Sequence, residues 1–325
     1  MLWRRSFVKR SVIFLADVLY REFTYAGADG VSLIHAYAWS PASGKPRAVI
    51  QLSHGMCEYV QRYEPWARRF AEAGYVFCGN DHIGHGHTAT DAVALGYTAK
   101  RRGAEYMTAD LYTLTMLMRE EYKDVPMILY GHSMGSFVAR KYMTQYADLI
   151  SGVILSGTAG PGAPTGIAKA LAHSIELFSG AHHRSPLIFA LAFGSYGKRF
   201  KEEKDSASWL TREPSVRDAY RADPFCAYQF TLAGYDTLFS LIGEVSSKKW
   251  ANGVRKDLPV LLLSGDMDPV GDYGRGVRKV YERMQRAGCD VRLKLYENGR
   301  HEMHNETNRD EVFADLIAYL EEIIA

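Results

Sequence analysis

Residues 128–136 read Ile128-Leu129-Tyr130-Gly131-His132-Ser133-Met134-Gly135-Ser136, an apolar run that breaks directly into the pattern Gly-x-Ser-x-Gly. In this pattern a serine occupies a sharp strand-to-helix turn, and the two glycines relieve crowding in the strained backbone. A chain with 29 glycines also produces the pattern by chance, so the flanking residues decide its meaning. Residues 125–130 predict a short buried strand and residues 136–143 predict a helix. The pattern therefore predicts a nucleophile elbow, with Ser133 as the candidate nucleophile.

A serine hydroxyl is a weak nucleophile at neutral pH and needs a base that is itself oriented by a third group. In hydrolases with this type of turn, the acid comes later in the chain than the serine and the histidine comes later still, each after one of the last strands. An alternating strand leads through a turn to His301, which we predict to be the general base. An apolar run leads to two candidate acids, Asp266 and Asp268. We favour Asp268, which lies further out beside Pro269, because Asp266 is placed to cap the turn.

The tetrahedral intermediate of acyl transfer needs two backbone amides that bind its negative charge. Met134 directly follows the candidate nucleophile and opens the predicted helix, whose N-terminus carries positive potential. Residues 49–56 predict an earlier strand that ends in His-Gly-Met. We therefore predict that the amides of Met56 and Met134 form the oxyanion hole.

An ordered set of motifs in this chain resembles the α/β-hydrolases. More narrowly, it resembles the monoacylglycerol lipase and lysophospholipase group, with its serine aminopeptidase S33-like domain. The motifs are His54-Gly55-Met56-Cys57-Glu58-Tyr59 with Arg62-Tyr63, Asp81-His82-Ile83-Gly84-His85-Gly86-His87, Gly131-His132-Ser133-Met134-Gly135, Gly265-Asp266-Met267-Asp268-Pro269 and Gly299-Arg300-His301-Glu302-Met303-His304-Asn305-Glu306. The resemblance runs from about Phe23 to the C-terminus. It implies an α/β fold with a mostly parallel eight-stranded sheet flanked by helices, and a helical cap inserted after the sixth strand.

The same resemblance implies a pocket for the alcohol part of a substrate. In monoacylglycerol lipases the glutamate and arginine of the first motif, and a second histidine after the catalytic one, line that pocket. Here these residues are Glu58, Arg62 and His304. Two other interpretations stay open, namely an ordinary helical ion pair between Glu58 and Arg62 and a surface position for His304. Tyr59 stands where the group usually has histidine, so the chemistry of the alcohol pocket also stays open.

The histidines at positions 82, 85 and 87 raise the question of a metal site, since imidazole is a common zinc ligand. Their segment instead matches the loop that follows the fourth strand in the family. No set of carboxylates or cysteines completes a coordination shell. We therefore expect neither a metal nor a cofactor.

Composition limits the class of protein. A chain of 325 residues that is 47% hydrophobic and 23% charged predicts one elaborated domain with a large core. A formal net charge of +2, without basic runs interleaved with aromatic residues, excludes a nucleic-acid partner. The four cysteines lie far apart and lack Cys-x-x-Cys spacing, which is typical of reduced thiols in a cytoplasmic protein.

We divide the single domain, residues 1–325, into a core (22–160 and 242–325), a cap insertion (161–241) and an N-terminal amphipathic segment (1–21). The insertion replaces the alternation of strands and helices with glycine-rich and aromatic segments, and its length predicts a lid over Ser133. In the N-terminal segment, apolar residues recur at helical spacing beside basic ones; they are Trp3, Phe7, Phe14 and Val18. The run is too short to span a bilayer. It predicts either packing on the domain or peripheral contact with a membrane surface.

The sequence thus predicts a serine hydrolase of lipid-like carboxylic esters, most simply a monoacylglycerol or a lysophospholipid, that works through an acyl-enzyme on Ser133. The partner is then a small ester or lipid substrate. The main alternative is a carboxylesterase for short or aromatic acyl groups. An aminopeptidase would need an acidic site in the cap, which Glu202, Glu203 and Asp205 could supply. A hydrolase-fold binding protein without turnover is the alternative from another class, and the intact set of Ser133, Asp268 and His301 argues against it.

Overall fold

The computed structural model describes residues 11–15, 17–162 and 164–325. In these ranges nine strands form one sheet in the order β1-β2-β3-β5-β4-β6-β7-β8-β9. The strands are β1 (Ser11–Leu15), β2 (Val18–Ala26), β3 (Leu33–Pro41), β4 (Val49–Ser53), β5 (Val76–Asn80), β6 (Met127–His132), β7 (Gly152–Ser156), β8 (Val260–Gly265) and β9 (Val291–Tyr296). The α-helices are α1 (Glu64–Glu72), α2 (Gly103–Glu121), α3 (Met134–Tyr142), α4 (Thr165–Ser179), α5 (Pro186–Phe193), α6 (Pro214–Ala222), α7 (Leu232–Val245), α8 (Arg275–Arg286) and α9 (Arg309–Ile324).

The sheet is parallel from β5 through β4, β6, β7 and β8 to β9, and antiparallel among β1, β2 and β3 and between β3 and β5. Every residue of β4, β6, β7 and β8 is buried, as expected for parallel strands that helices cover on both faces. Strands β2 to β9 form the predicted eight-stranded α/β-hydrolase sheet, which is confirmed. Strand β1 adds a ninth at the edge.

The N-terminal prediction needs correction where the structure describes the chain. Residues 11–15 and 18–21 are strands rather than a helical segment, and they pair as a hairpin with Leu15 opposite Val18. The first strand of the predicted core also begins at Val18, earlier than expected. The helical spacing of Phe14 and Val18 is coincidental, since β-branched and aromatic residues suit a ladder that an existing sheet edge can extend. The other two positions of that pattern, 3 and 7, lie outside the described residues.

Helices lie on both faces of the sheet and enclose two apolar cores. On one face, side chains of α2, α3 and α8 pack against the sheet and α7 packs over α2 and α3, with residues such as Leu111, Val138 and Val280 fully buried. On the other face α1 and α9 contribute Phe70, Leu316 and their neighbours. Because strands β4 to β9 run parallel, their carboxyl ends lie together at one edge of the sheet. Ligands bind at this edge in open α/β sheets.

The chain between β7 and β8, residues 157–259, is here termed the insertion. It contains α4, α5, α6 and α7, so the predicted helical elements are present after the sixth strand counted from β2. Helix α7 continues to Val245 and packs on α2, α3 and α4. The predicted cap boundary at residue 241 therefore falls inside α7, a helix that contacts both the core helices and α4 of the insertion. The division into core and cap stays a prediction. None of the helices in the described ranges combines the length and hydropathy of a membrane span.

Candidate active site

Ser133 lies between the last residue of β6 and the first residue of α3, with φ 52° and ψ −120°. This left-handed backbone is strained for a side-chain-bearing residue, and the surrounding packing maintains it. The flanking glycines are sterically required, because a Cβ on Gly135 would overlap the carbonyl of Ser53 and one on Gly131 would meet the carbonyl of Gly135. The strand-turn-helix geometry of a nucleophile elbow is therefore present at the predicted position.

The three residues predicted to cooperate lie in one hydrogen-bonded chain. The Ser133 Oγ atom is 2.8 Å from His301 Nε2, and His301 Nδ1 is 3.0 Å from Asp268 Oδ2. Asp268 is fully buried and also accepts from the amide of Val270 at 2.9 Å. Asp266 instead accepts from the amide of Asn298 at 2.8 Å. The structure thus brings Asp268 rather than Asp266 to the histidine.

The environment of His301 favours its protonated form. Burial alone would lower the pKa of the imidazole, but the charge and hydrogen bond of Asp268 outweigh burial and raise this pKa above the ordinary value. Glu302 and Glu58 add in the same direction. A histidine with a raised pKa takes a proton from a neighbouring hydroxyl more readily, which suits a general base.

Ser133 lines a cavity of about 90 Å³. Met56 and Met134, the predicted oxyanion donors, both line it. Met134 is the first residue of α3, where helix geometry leaves the backbone N–H without an intrahelical acceptor. Met56 follows Gly55, whose amide donates to Glu58. The structure therefore places both predicted donors beside the candidate nucleophile.

The three residues predicted to bind the alcohol are divided between two cavities. Glu58 lines the Ser133 cavity, whereas Arg62 and His304 line a separate cavity of about 340 Å³. Arg62 donates to Glu58 Oε2 at 2.7 Å and to both carboxylate oxygens of Glu302 at 2.9 and 2.8 Å. Burial opposes ionisation of Glu302, but the Arg62 charge prevails and holds the pKa of this carboxyl below its usual range. The ion pair of Glu58 and Arg62 exists, but it is largely buried, with Arg62 in a short 3-10 helix (Val60–Tyr63) that precedes α1 and Glu58 in the loop before it.

His304 is 3% exposed, so the surface interpretation of this residue is wrong. Its ring stacks on Tyr63 with centroids 4.4 Å apart. Burial lowers the pKa of His304 to about 3, so the ring is neutral. Within the described residues neither ring nitrogen has a hydrogen-bond partner.

The histidine cluster of the second motif has a packing role. His82 and His85 are buried, and burial lowers their pKa values to about 3 and about 4. The amide of His82 donates to His54 Nε2 at 3.0 Å, and His54 Nδ1 lies 2.8 Å from the carbonyl of Gly55. These contacts fix the loop that carries Met56. Across the part of the chain that the structure describes, no three His, Cys, Asp or Glu side chains are grouped to hold a metal ion.

The fold brings to the site several residues to which the sequence assigned no individual role there. They include Glu302, which pairs with Arg62, and aromatic residues of the insertion that line the Ser133 cavity: Phe193, Tyr196, Trp209 and Tyr220. Glu302 directly follows His301, so its position in the motif was a usable signal. The aromatic segments of the insertion predicted a lid over Ser133, but composition does not separate side chains that face a pocket from those that pack inside a cap. All four cysteines are free and buried.

Comparison with known proteins agrees with this geometry. The sequence model of the family described as serine aminopeptidase, S33, matches residues 44–308. A monoacylglycerol lipase of Mycolicibacterium smegmatis is 29% identical over 301 residues, which cover 92% of this chain and 96% of the relative. A monoglyceride lipase of Rattus norvegicus is 29% identical over 293 residues, covering 89% of this chain and 86% of the relative.

Solved structures give the same assignment. A thermostable carboxyl esterase from Bacillus coagulans, determined in complex with glycerol, superposes with a TM-score of 0.88 at 29% identity and covers 94% of this chain and 99% of its own. A lipase in an open form superposes with a TM-score of 0.86 at 27% identity with the same coverage. Together the relatives support a carboxylic ester hydrolase. Because the family match spans well over half of its length, the chain belongs to the serine aminopeptidase S33 family of the α/β-hydrolases.

Proposed function

We propose that this protein hydrolyses lipid-like carboxylic esters, with a monoacylglycerol or a lysophospholipid as substrate, through an acyl-enzyme on Ser133. The observation that carries the proposal is the buried chain from Ser133 through His301 to Asp268 at the end of an apolar cavity. The relatives named monoacylglycerol lipase support the lipid class.

In the proposed mechanism His301 Nε2 takes the Ser133 proton while Oγ attacks the ester carbonyl. Asp268 holds the Nδ1 proton of His301 and stabilises the imidazolium that forms. The amides of Met56 and Met134 bind the negative charge of the tetrahedral intermediate. The imidazolium then protonates the leaving alcohol, and the acyl group stays on Ser133. Water, deprotonated by the same histidine, releases the fatty acid and restores the serine.

A second cavity supports an apolar acyl group. It has a volume of about 310 Å³ and lies among α4, α5 and α7. Four residues line both this cavity and the Ser133 cavity: Phe193, Tyr196, Leu238 and Ile242. Each methylene buried there contributes about 0.8 kcal/mol. A chain of several carbons therefore has room to extend from the serine toward α4 and α5.

Acyl-chain length is the test of this proposal. We expect the kcat/KM for p-nitrophenyl esters to rise from acetyl toward medium or long chains, and monoacylglycerols to be cleaved as well. The rise follows from apolar burial in the second cavity. Initial rates over the ester series, from acetyl to palmitoyl, measure it. A preference for acetyl would instead identify a carboxylesterase for small esters.

The aminopeptidase alternative loses its acidic site. Glu203 pairs with Arg217 and Arg300, and Asp205 pairs with Arg217 and Arg221. Both carboxylates are thus already neutralised by guanidinium groups. Glu202 is exposed to solvent and lines neither the Ser133 cavity nor the apolar one. We therefore propose an ester rather than a peptide as substrate, even though the family is described by its peptidase activity.

Contact with a lipid surface is also part of the proposal, at a different place from the one that the sequence indicated. Helices α4 and α5 expose large apolar side chains, which are Ile167, Leu177, Phe178, Leu187, Phe189 and Leu191. Ile167 and Leu191 also line the second cavity. An exposed apolar patch at the mouth of an apolar cavity fits entry of the substrate directly from a lipid surface. We propose this patch, rather than residues 1–21, as the contact.

Replacing Phe178, which is 94% exposed, by aspartate tests the patch. We expect Phe178→Asp to lower the fraction bound to phosphatidylcholine vesicles by about tenfold, since a large apolar side chain contributes about 1.5–3 kcal/mol on burial. Hydrolysis of water-soluble p-nitrophenyl acetate should stay unchanged. Cosedimentation with vesicles measures binding. Val31→Asp is the control, because Val31 is 90% exposed and lies in the turn between β2 and β3 rather than on α4 or α5; equal loss in both variants would contradict the proposal.

A further inference from the structure

The loop that carries His301 is hydrogen-bonded to the insertion. The amide of His301 donates to the carbonyl of Trp209 at 3.4 Å, and the amide of Glu302 donates to the carbonyl of Leu210 at 2.7 Å. A third contact joins Thr211 Oγ1 to the carbonyl of Asn305 at 2.9 Å. The backbone of the predicted base is therefore held by residues of the insertion.

One buried carboxylate ties the two segments together. Glu306 is fully buried and accepts from the amide and the Nε atom of Arg212 at 3.0 and 2.8 Å. It also accepts from the amides of Arg300 and Thr307 at 3.0 and 2.9 Å. Two donors thus come from the insertion and two from the histidine loop. Charge-assisted bonds of this kind are the stronger class of hydrogen bond, so Glu306 fixes the distance between the segments.

Trp209 lies three residues before Arg212 and is the residue of this segment whose ring meets His301. Its ring lies 5.1 Å from the ring of His301, centroid to centroid, at an interplanar angle of 39°. His132 approaches the same imidazole at 4.8 Å. Tyr196 in turn packs on Trp209 at 5.0 Å. The imidazole of His301 is therefore confined by aromatic rings as well as by Asp268.

Among these rings only the indole favours a positive charge on His301. The face of a tryptophan attracts a cation through its quadrupole, most strongly where water is excluded. His132 adds no charge beside His301, because burial keeps the pKa of its ring well below the ordinary value and the ring is neutral. An imidazolium forms on His301 in both halves of the proposed reaction.

We propose that Trp209 is a positioning residue for His301 and that Glu306 holds Trp209 in place. Residues 209–212 of the insertion are therefore a fixed part of the active centre rather than part of a movable lid. This inference rests on the proposed role of His301 as general base. Any opening of the insertion would then move other residues and leave residues 209–212 in place.

Substitution of Trp209 tests the proposal kinetically. We expect Trp209→Leu to lower kcat by about tenfold for every acyl length, because it removes the ring that confines the base and favours its charge. Trp209→Phe keeps a ring and should retain most of the activity. A purely substrate-binding role would instead raise KM for long esters and leave kcat for the acetyl ester unchanged, which would overturn the proposal.

A fluorescence titration tests the contact without turnover. An imidazolium close to an indole quenches its emission, so the emission that Trp209 contributes should fall as pH drops through the pKa of His301. The difference between wild type and Trp209→Phe isolates this emission from that of the other four tryptophans. The titration should vanish in His301→Gln and persist in Ser133→Ala. A difference signal that does not titrate, or that still titrates in His301→Gln, would overturn the inference even if ester hydrolysis is confirmed.

Glu306→Gln tests the tie between the segments. We expect kcat to fall by about tenfold and the Trp209 titration to lose amplitude, because the neutral amide cannot accept all four donors and leaves the Arg212 charge without its carboxylate partner. Asp310→Asn is the matched control, since Asp310 is an exposed acid that pairs with Arg69. If Glu306→Gln does not fold, Arg212→Gln breaks the same contact from the insertion, at a side chain that is 28% exposed. Wild-type kcat and an unchanged titration in a folded variant would refute the role of Glu306.

Discussion

Ser133→Ala is expected to reduce ester hydrolysis by on the order of 10⁴- to 10⁶-fold, the loss seen when the nucleophile of a serine hydrolase is removed. The residual rate would come from the oxyanion donors and from substrate binding. The variant should fold normally, because alanine has the same Cβ as serine and meets the backbone at φ 52° with the same strain. Steady-state rates on a medium-chain p-nitrophenyl ester measure the loss, and thermal unfolding checks the fold.

Ser136→Ala is the matched control for this prediction. Ser136 lies in the first turn of α3, is buried, and donates to the carbonyl of Ser133 rather than to His301. It should retain most of the activity. A fluorophosphonate probe adds a covalent measurement, since it should increase the mass of wild type and of Ser136→Ala but not of Ser133→Ala. More than a trace of turnover in Ser133→Ala, or labelling of that variant, would show that another nucleophile does the chemistry.

The local parts of this structure could be predicted from the sequence. The elbow at Ser133, the strand before His301 and the buried parallel strands each depend on short-range patterns, namely apolar runs, glycines and turns. Their order along the chain then predicted that Ser133, Asp268 and His301 converge, and the structure brings them within hydrogen-bonding distance. The choice of Asp268 over Asp266 also followed from local features, because the two differ in their distance from the strand end.

The long-range parts could not be predicted in this way. Trp209 reaches His301, and Arg212 reaches Glu306, through contacts between residues about 90 positions apart, and no periodic pattern reports such contacts. Arg62 and Glu302 are separated by 240 positions. The prediction for the N-terminal segment failed although a local pattern was present. Its apolar spacing is compatible with a helix, but the segment instead extends the edge of the sheet as β1. Tertiary context decided each of these cases.

Asp268→Asn should lower kcat by about 10⁴-fold, because an asparagine at this position can present an N–H to His301 and favour the wrong tautomer. The imidazole would then direct a proton rather than a lone pair toward Ser133. Asp266→Asn is the paired control from the same loop. Its side chain contacts the amide of Asn298 and not the histidine, so we expect no more than a few-fold change.

The pH profile gives this comparison a second readout. In wild type, Asp268 keeps the pKa of His301 above the ordinary 6.5, and the base is active only when neutral. The kcat/KM should therefore fall as pH drops through a value above 6.5. Asp268→Asn removes the charge that raises this pKa and leaves burial, which lowers it, so the acid limb should move to lower pH. An acid limb that stays in place, or an equal loss of kcat in Asp266→Asn, would mean that Asp268 does not orient the base, and the proposed mechanism would then lack its acid.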